Sequence, residues 1–190
     1  MNELAVSNGK STEVALADQG QQGQYLTFLV GKDKLAIAID DVNEIIEISN
    51  ITRVPMTPDY IRGVINLRGN VVPVVDLSAR LGHAVSEISK RSCIVLVEIV
   101  TSEETQSIGM LVDQVNEILE IPESNIQPAP EFGSDIRVDF IQAMGRVDDD
   151  FIILLEISRV LSVSELAALS KVTQSSMAGT SLEVDDSNTE

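Results

Sequence analysis

A chain of 190 residues with 44% hydrophobic content has room for one large or two small domains and enough apolar surface to bury a core, which excludes disorder throughout. Thirteen basic against 30 acidic residues leave a formal net charge of -17, so a nucleic acid would be repelled and that class of function is excluded. Aromatics make up 3% with no Trp; the stacking platforms of strand-binding proteins are missing, and Val, Ile and Leu must fill the interior.

The first residues, MNELAVSNGK, carry Glu3 and lack a basic and an apolar region, unlike a signal peptide. Apolar runs reach about five residues, far short of the ~18 a spanning helix needs, so no membrane insertion and a cytoplasmic location are expected. Residues 1–23 read as a flexible tail. From Gln24 onward short Val/Ile/Leu runs alternate with Gly, Pro, Asn and Asp, the pattern of an all-β protein. Strands are predicted at Tyr25–Val30, Leu35–Ile39, Glu44–Ile48, Arg62–Leu67, Val71–Asp76, Cys93–Val100, Ser107–Val112, Glu117–Ile121, Ile141–Val147 and Phe151–Glu156.

Turn chemistry joins the first two at Gly31–Lys34 and the next hairpin at Arg68-Gly69-Asn70, where positive φ is available. Pro73 cannot donate to a ladder, so its strand should be at an edge or bulge there. Leu77–Leu81 suits one helical turn, and Ser162–Lys171 suits a closing helix with Val163, Leu166, Ala167 and Leu169 on one face. The core domain thus spans 24–171, and 172–190 reads as a disordered acidic tail.

A repeat sets the architecture. Asp40 to Ile48 reappears as Asp113 to Ile121 with seven of nine residues identical, and Val75 to Leu81 matches Leu155 to Leu161. The economical reading is two five-stranded barrels in tandem, about 24–90 and 91–161; a single ten-stranded sandwich is the alternative.

Candidate chemistry is sparse. Gly9-Lys10-Ser11-Thr12 imitates the end of a phosphate loop, but the pattern requires Gly where Leu4 stands and a preceding strand. Purine-nucleotide binding is therefore the weaker alternative function, and no cofactor is expected. A single Cys93 and a single His83 form no disulfide or metal cluster; the ordinary reading is an inert core thiol and an exposed imidazole. Asp148-Asp149-Asp150 lacks calcium-loop spacing and reads as a solvated turn. Glu44 and Glu117 share one repeat position, which favours a structural pairing.

Charge is unevenly shared. Residues 24–92 hold 8 basic and 8 acidic side chains, whereas 93–161 hold 3 and 14. The turn at Arg68 corresponds in the repeat to Asp148–Asp150, so equivalent turns carry opposite charge, as a binder of two partners requires.

The string IRGVINLRGNVVPVVDL at Ile61–Leu77, preceded by VPMTPDY, closely resembles the signature of the chemotaxis coupling proteins, the CheW family; GMLVDQVNEIL at Gly109–Leu119 and QPAPEF at Gln127–Phe132 extend the match. The resemblance implies two SH3-like barrel subdomains, no enzymatic activity, and an adaptor joining the cytoplasmic tip of methyl-accepting chemoreceptors to the regulatory domain of a CheA-type histidine kinase. Further family copies in rings and recruitment to membrane-attached arrays are also implied. A coupling role in a non-flagellar chemosensory pathway is the alternative within the family. The partner-binding surface is expected at Val42, Glu44, Arg62 and Arg68, with Asp148, Asp149 and Asp150 on the second barrel. Gly63 and Gly69 match family glycines, as structural bends or as contacts.

Overall fold

The computed structural model describes residues 22–100, 105–130 and 138–162. The expected closing helix beyond Ser162 and both expected tails, apart from the start of the first strand, lie outside the described residues. The strands are β1 (Gln22–Val30), β2 (Asp33–Ala38), β3 (Val42–Glu47), β4 (Ile61–Leu67), β5 (Asn70–Asp76), β6 (Cys93–Val100), β7 (Thr105–Val112), β8 (Gln114–Pro122), β9 (Ile126–Gln127), β10 (Ile141–Val147) and β11 (Asp150–Leu155). Two single-turn helices follow hairpins, α1 (Leu77–Arg80) and α2 (Ile157–Val160). All ten predicted strands are present; the short β9 and α2 had no clear signal of their own.

The strands form two sheets, ordered β3-β6-β7-β5-β4 and β8-β1-β2-β11-β10-β9. Each repeats the same plan. An antiparallel hairpin, β6–β7 or β1–β2, is flanked on one side by the VNE strand, β3 or β8. On the other it joins a parallel neighbour, β5 or β11. Pro73 lies in the part of β5 paired only to β4, because β7 joins at Val74; the missing N–H therefore breaks no ladder.

The expected division at about residue 90 does not coincide with the sheets. The sequence repeat is tandem, but its halves exchange their leading hairpins: β1–β2 completes the sheet of the second half and β6–β7 that of the first. Loop length enforces this. Only Asp113 separates β7 from β8, too little for a two-residue hairpin within one sheet, so the chain must step across. Asp113 secures the step, its N–H donating to the Leu29 carbonyl at 3.0 Å and its Oδ2 accepting from the Gly31 N–H at 2.6 Å. The short 3-10 turn Ile39–Asp41 carries the chain in the opposite direction.

The exchange makes the core three-layered. Leu26, Phe28 and Val30 of β1 and Val95, Val97 and Ile99 of β6 meet in a central cluster between the sheets. Ile94 and Leu96 turn inward against Ile65, Val72, Val74 and Leu111. Ile121 packs on Ala36, Ala143, Ile152 and Leu154 within the other sheet. The continuous run CIVLV is thus explained by burial on both faces.

Candidate partner-binding surface

Each copy of the VNE segment carries a β-bulge. Register slips between Val42 and Glu44 against β6, and between Val115 and Ile118 against β1. Such a bulge adds one residue and re-aims the side chains beside it. In the second copy the buried Thr27 hydroxyl repairs the ladder, donating to the Glu117 carbonyl at 2.8 Å and accepting from the Glu117 N–H at 3.2 Å.

Glu44 is aimed at the β4–β5 turn, where Arg68 Nη2 donates to both carboxylate oxygens at 2.9 Å. Arg68 and Gly69 have φ of 52° and 88°, the two positive values a tight two-residue hairpin turn needs, and Asn66 Oδ1 accepts from the Gly69 N–H at 2.9 Å. Arg68 stays 71% exposed in this pairing, so its guanidinium is oriented yet open to solvent. In the second copy the position of Arg68 is held by Asp148, with φ of 54°. Glu117 therefore finds no cation in that turn and lies instead 3.8 Å from Lys34 Nζ of β2. Asp148, Asp149 and Asp150 are all exposed.

Apolar positions absent from the sequence-based site complete the pattern. Ile45 and Val71 are 44% and 61% exposed, and their repeat equivalents Ile118 and Phe151 are 53% and 52% exposed. Each sheet thus shows one exposed large apolar residue on its VNE strand and one directly after its charged turn. The signal was present as Val71 beside inward Val72 and Phe151 beside inward Ile152, pairs that alternate across a strand.

The remaining expected residues are placed as follows. Val42 is half-buried at the start of β3 and packs against the central core. Arg62 Nη1 lies 3.5 Å from Asp76 Oδ2, and Asp76 is completely buried; Arg62 is tied to a buried carboxylate rather than standing open like Arg68. Asp76 also accepts from the Ala79 N–H at the start of α1, the Ser86 N–H and the Ser86 hydroxyl. Gly63 has φ of 141°, and a Cβ there would lie 2.1 Å from the Thr52 carbonyl oxygen, so backbone contact accounts for this glycine. Gly69 has nothing within 4 Å of such a Cβ, and only its turn conformation requires it.

Burial raises the pKa of the Cys93 thiol, with a smaller opposing contribution from a Val115 backbone hydrogen bond. Cys93 packs against the central cluster, while His83 Nε2 sits 3.6 Å from Asp33 Oδ2 on the surface. Among the described residues no group of three or more His, Cys, Asp or Glu is arranged to hold a metal ion, and no helix is long and apolar enough to cross a membrane.

Two permuted β units that present paired apolar and charged positions define a binding scaffold. The CheW-like domain family matches residues 24–165. The chemotaxis protein CheW of Klebsiella aerogenes is 31% identical over 167 residues, covering 88% of this chain and 98% of that protein. The scaffolding protein TtCheW of Thermoanaerobacter tengcongensis superimposes with a TM-score of 0.65 at 34% identity, over 72% of this chain and 86% of that one. Protein FrzA of Myxococcus xanthus is 30% identical over 162 residues, or 83% of this chain and 97% of that protein. The chain belongs to the CheW-like family: it is a chemotaxis scaffold protein with two SH3-like subdomains, not an enzyme.

Proposed function

We propose that the protein couples methyl-accepting chemoreceptors to the regulatory domain of a CheA-type histidine kinase. The observation that carries this reading is the duplicated surface: Ile45 and Val71 beside the cationic Arg68 turn on one sheet, Ile118 and Phe151 beside the anionic Asp148–Asp150 turn on the other. Apolar area supplies affinity, and the opposite charges reject the wrong neighbour and set register. One unit meets the kinase regulatory domain, which the family resemblance gives the same fold, while an amphipathic receptor helix lies along the seam between the units in helix-in-groove fashion. Unlike ends also permit head-to-tail contacts between SH3-like units, which close into rings when the rotation allows. Recruitment to the membrane-attached array then follows from receptor binding.

The test is Arg68→Ala in titrations with the isolated kinase regulatory domain. Affinity should fall about tenfold, the size of one lost charge-assisted bond. Stability should fall by no more than about 1 kcal/mol, because the Glu44 pair is exposed. Unchanged affinity, or a large loss of stability with intact binding, overturns the role given to Arg68. The likeness to FrzA favours a second reading, coupling within a chemosensory pathway other than flagellar chemotaxis; identifying the kinase that co-purifies from native lysate decides between them.

A further inference from the structure

A groove of about 480 Å³ lies between the β3–β4 connection and the segment after α1, lined by Ile51, Arg53, Asp59, Arg62, Val85 and Ile88 among others. It is separate from the two repeat-related surfaces. Val85 and Ile88 are exposed large hydrophobics in an irregular segment. The surrounding stretch, residues 49–92, holds six basic and three acidic side chains, a cationic island in a chain of net charge -17. Arg62 is paired with Asp76 and Arg68 with Glu44, but Arg53, Lys90 and Arg91 are exposed and enter none of the ion pairs among the described residues. Asp59 is the one acidic residue in the groove lining.

We propose that this groove is occupied by the protein's own C-terminal segment, Leu182 to Asp186. That segment reads LEVDD: apolar Leu182 and Val184 alternate with Glu183 and Asp185, followed by Asp186, and no basic residue falls between Val172 and Glu190. Its composition complements the groove in both respects, apolar side chains for Val85 and Ile88 and carboxylates for Arg53 of the lining and for Lys90 and Arg91, which follow Ile88 by two and three residues outside the lining. The last described residues lie close by. The Val160 carbonyl accepts from Arg80 Nε at 2.7 Å, and the Arg80 guanidinium lies 4.7 Å from the Tyr60 ring centroid; Tyr60 stands between Asp59 and Ile61 of the groove lining. The expected helix over Ser162–Lys171 rises about 15 Å, and the eleven residues from Lys171 to Leu182 can reach about 38 Å further. A segment joined to its site within one chain meets it at an effective concentration of order millimolar, so a contact too weak to detect between separate molecules is populated within one.

The experiment uses the full chain and its backbone amide NMR spectrum. In the triple variant Glu183→Gln, Asp185→Asn, Asp186→Asn, the amides of residues 51–62 and 85–91 should shift while those of the central cluster stay in place. Raising salt from about 0.01 M to about 1 M, which shortens the Debye length from ~30 Å to ~3 Å, should move the parent toward the variant. The variant Lys90→Glu, Arg91→Glu should reproduce the shifts, and combining it with Glu183→Lys, Asp185→Lys, Asp186→Lys should reverse them. Groove amides that coincide in parent and triple variant overturn the proposal. So do shifts that scale with protein concentration, which would place a second copy in the groove. Neither kinase nor receptor enters the readout, so failure here leaves the coupling function standing.

Discussion

At Gly63 the backbone of β4 passes so close to Thr52 that a methyl group has no room, and the φ of 141° is itself closed to other residues. The Thr52 and Val64 amides each donate to the other's carbonyl at 2.8 Å, so the neighbour cannot yield without breaking both bonds. Gly63→Ala should therefore cost about 3 kcal/mol or more, combining backbone strain with overpacking. Gly69→Ala meets empty space and should cost about 1 kcal/mol for the left-handed conformation alone. Urea unfolding with unchanged m-values checks both. Equal costs would refute the distinction between a packed glycine and a turn glycine. The Cys93 thiol, its pKa raised by burial, should react with iodoacetamide more slowly than a free cysteine at neutral pH; labelling at the free rate would contradict its placement.

Among the elements, the hairpin β4–β5 with α1 shows how one carboxylate organises a segment lacking regular structure. Asp76 caps α1 and holds Ser86 by two bonds, fixing the path of the 83–92 segment over the sheet, and Arg62 compensates its charge. Asp76→Ala should destabilise by about 3 kcal/mol, since it strands buried donors and leaves Arg62 without its anion. Thermal unfolding monitored by circular dichroism measures this, and a change below about 0.5 kcal/mol, the scatter of ordinary surface substitutions, would show that the segment is held by other contacts. Its counterpart at α2 is built differently: Glu156 makes no side-chain cap, and the Ser158 hydroxyl donates to it instead at 2.7 Å. The duplicated elements have thus kept their backbone plan while their polar supports diverged.

For the whole molecule, the exchanged hairpins tie the sheets into one cooperative unit. Neither half of the sequence owns a complete sheet, and the central cluster draws on β1, β2, β6 and β7 together. Calorimetry should therefore show a single transition with equal calorimetric and van't Hoff enthalpies; two resolved transitions would contradict the exchange. A like-charge contact bridges the same assembly. Burial, then Glu156, then Asp40 raise the pKa of Asp41 above its ordinary 3.8. A folded-state value above the unfolded one means that the native state binds the proton more tightly. Its stabilising share is complete below the unfolded value and is lost as pH rises through the folded one. Asp41→Asn should accordingly raise the melting temperature at neutral pH, and the gain should vanish as pH falls below about 4. A gain independent of pH would point to a cause other than charge.

The strands, most turns and the duplicated plan were legible from the sequence because they rest on local rules: period-two alternation, positive-φ turn residues and self-similarity in two blocks, offset by 73 and 80 residues. The pairing of Glu44 with Arg68 could be anticipated because both lie within one repeat, near the strand ends that a hairpin brings round. By itself the sequence determined the β class, the two repeats, the opposite charges of their turns and the CheW-like resemblance. Tertiary structure alone decided which hairpin completes which sheet, because a one-residue step at Asp113 is a three-dimensional constraint that no alternation pattern records. That decision also redistributes the charge. Among the described residues, those of the unit at 39–112 include 6 basic and 8 acidic side chains, against 4 and 10 for those at 22–38 and 113–162 together. The sharp contrast between the two halves of the sequence softens into two acidic units, and the difference that remains for a partner to recognise is local: a cationic turn beside Val71 and an anionic one beside Phe151, set on the same backbone.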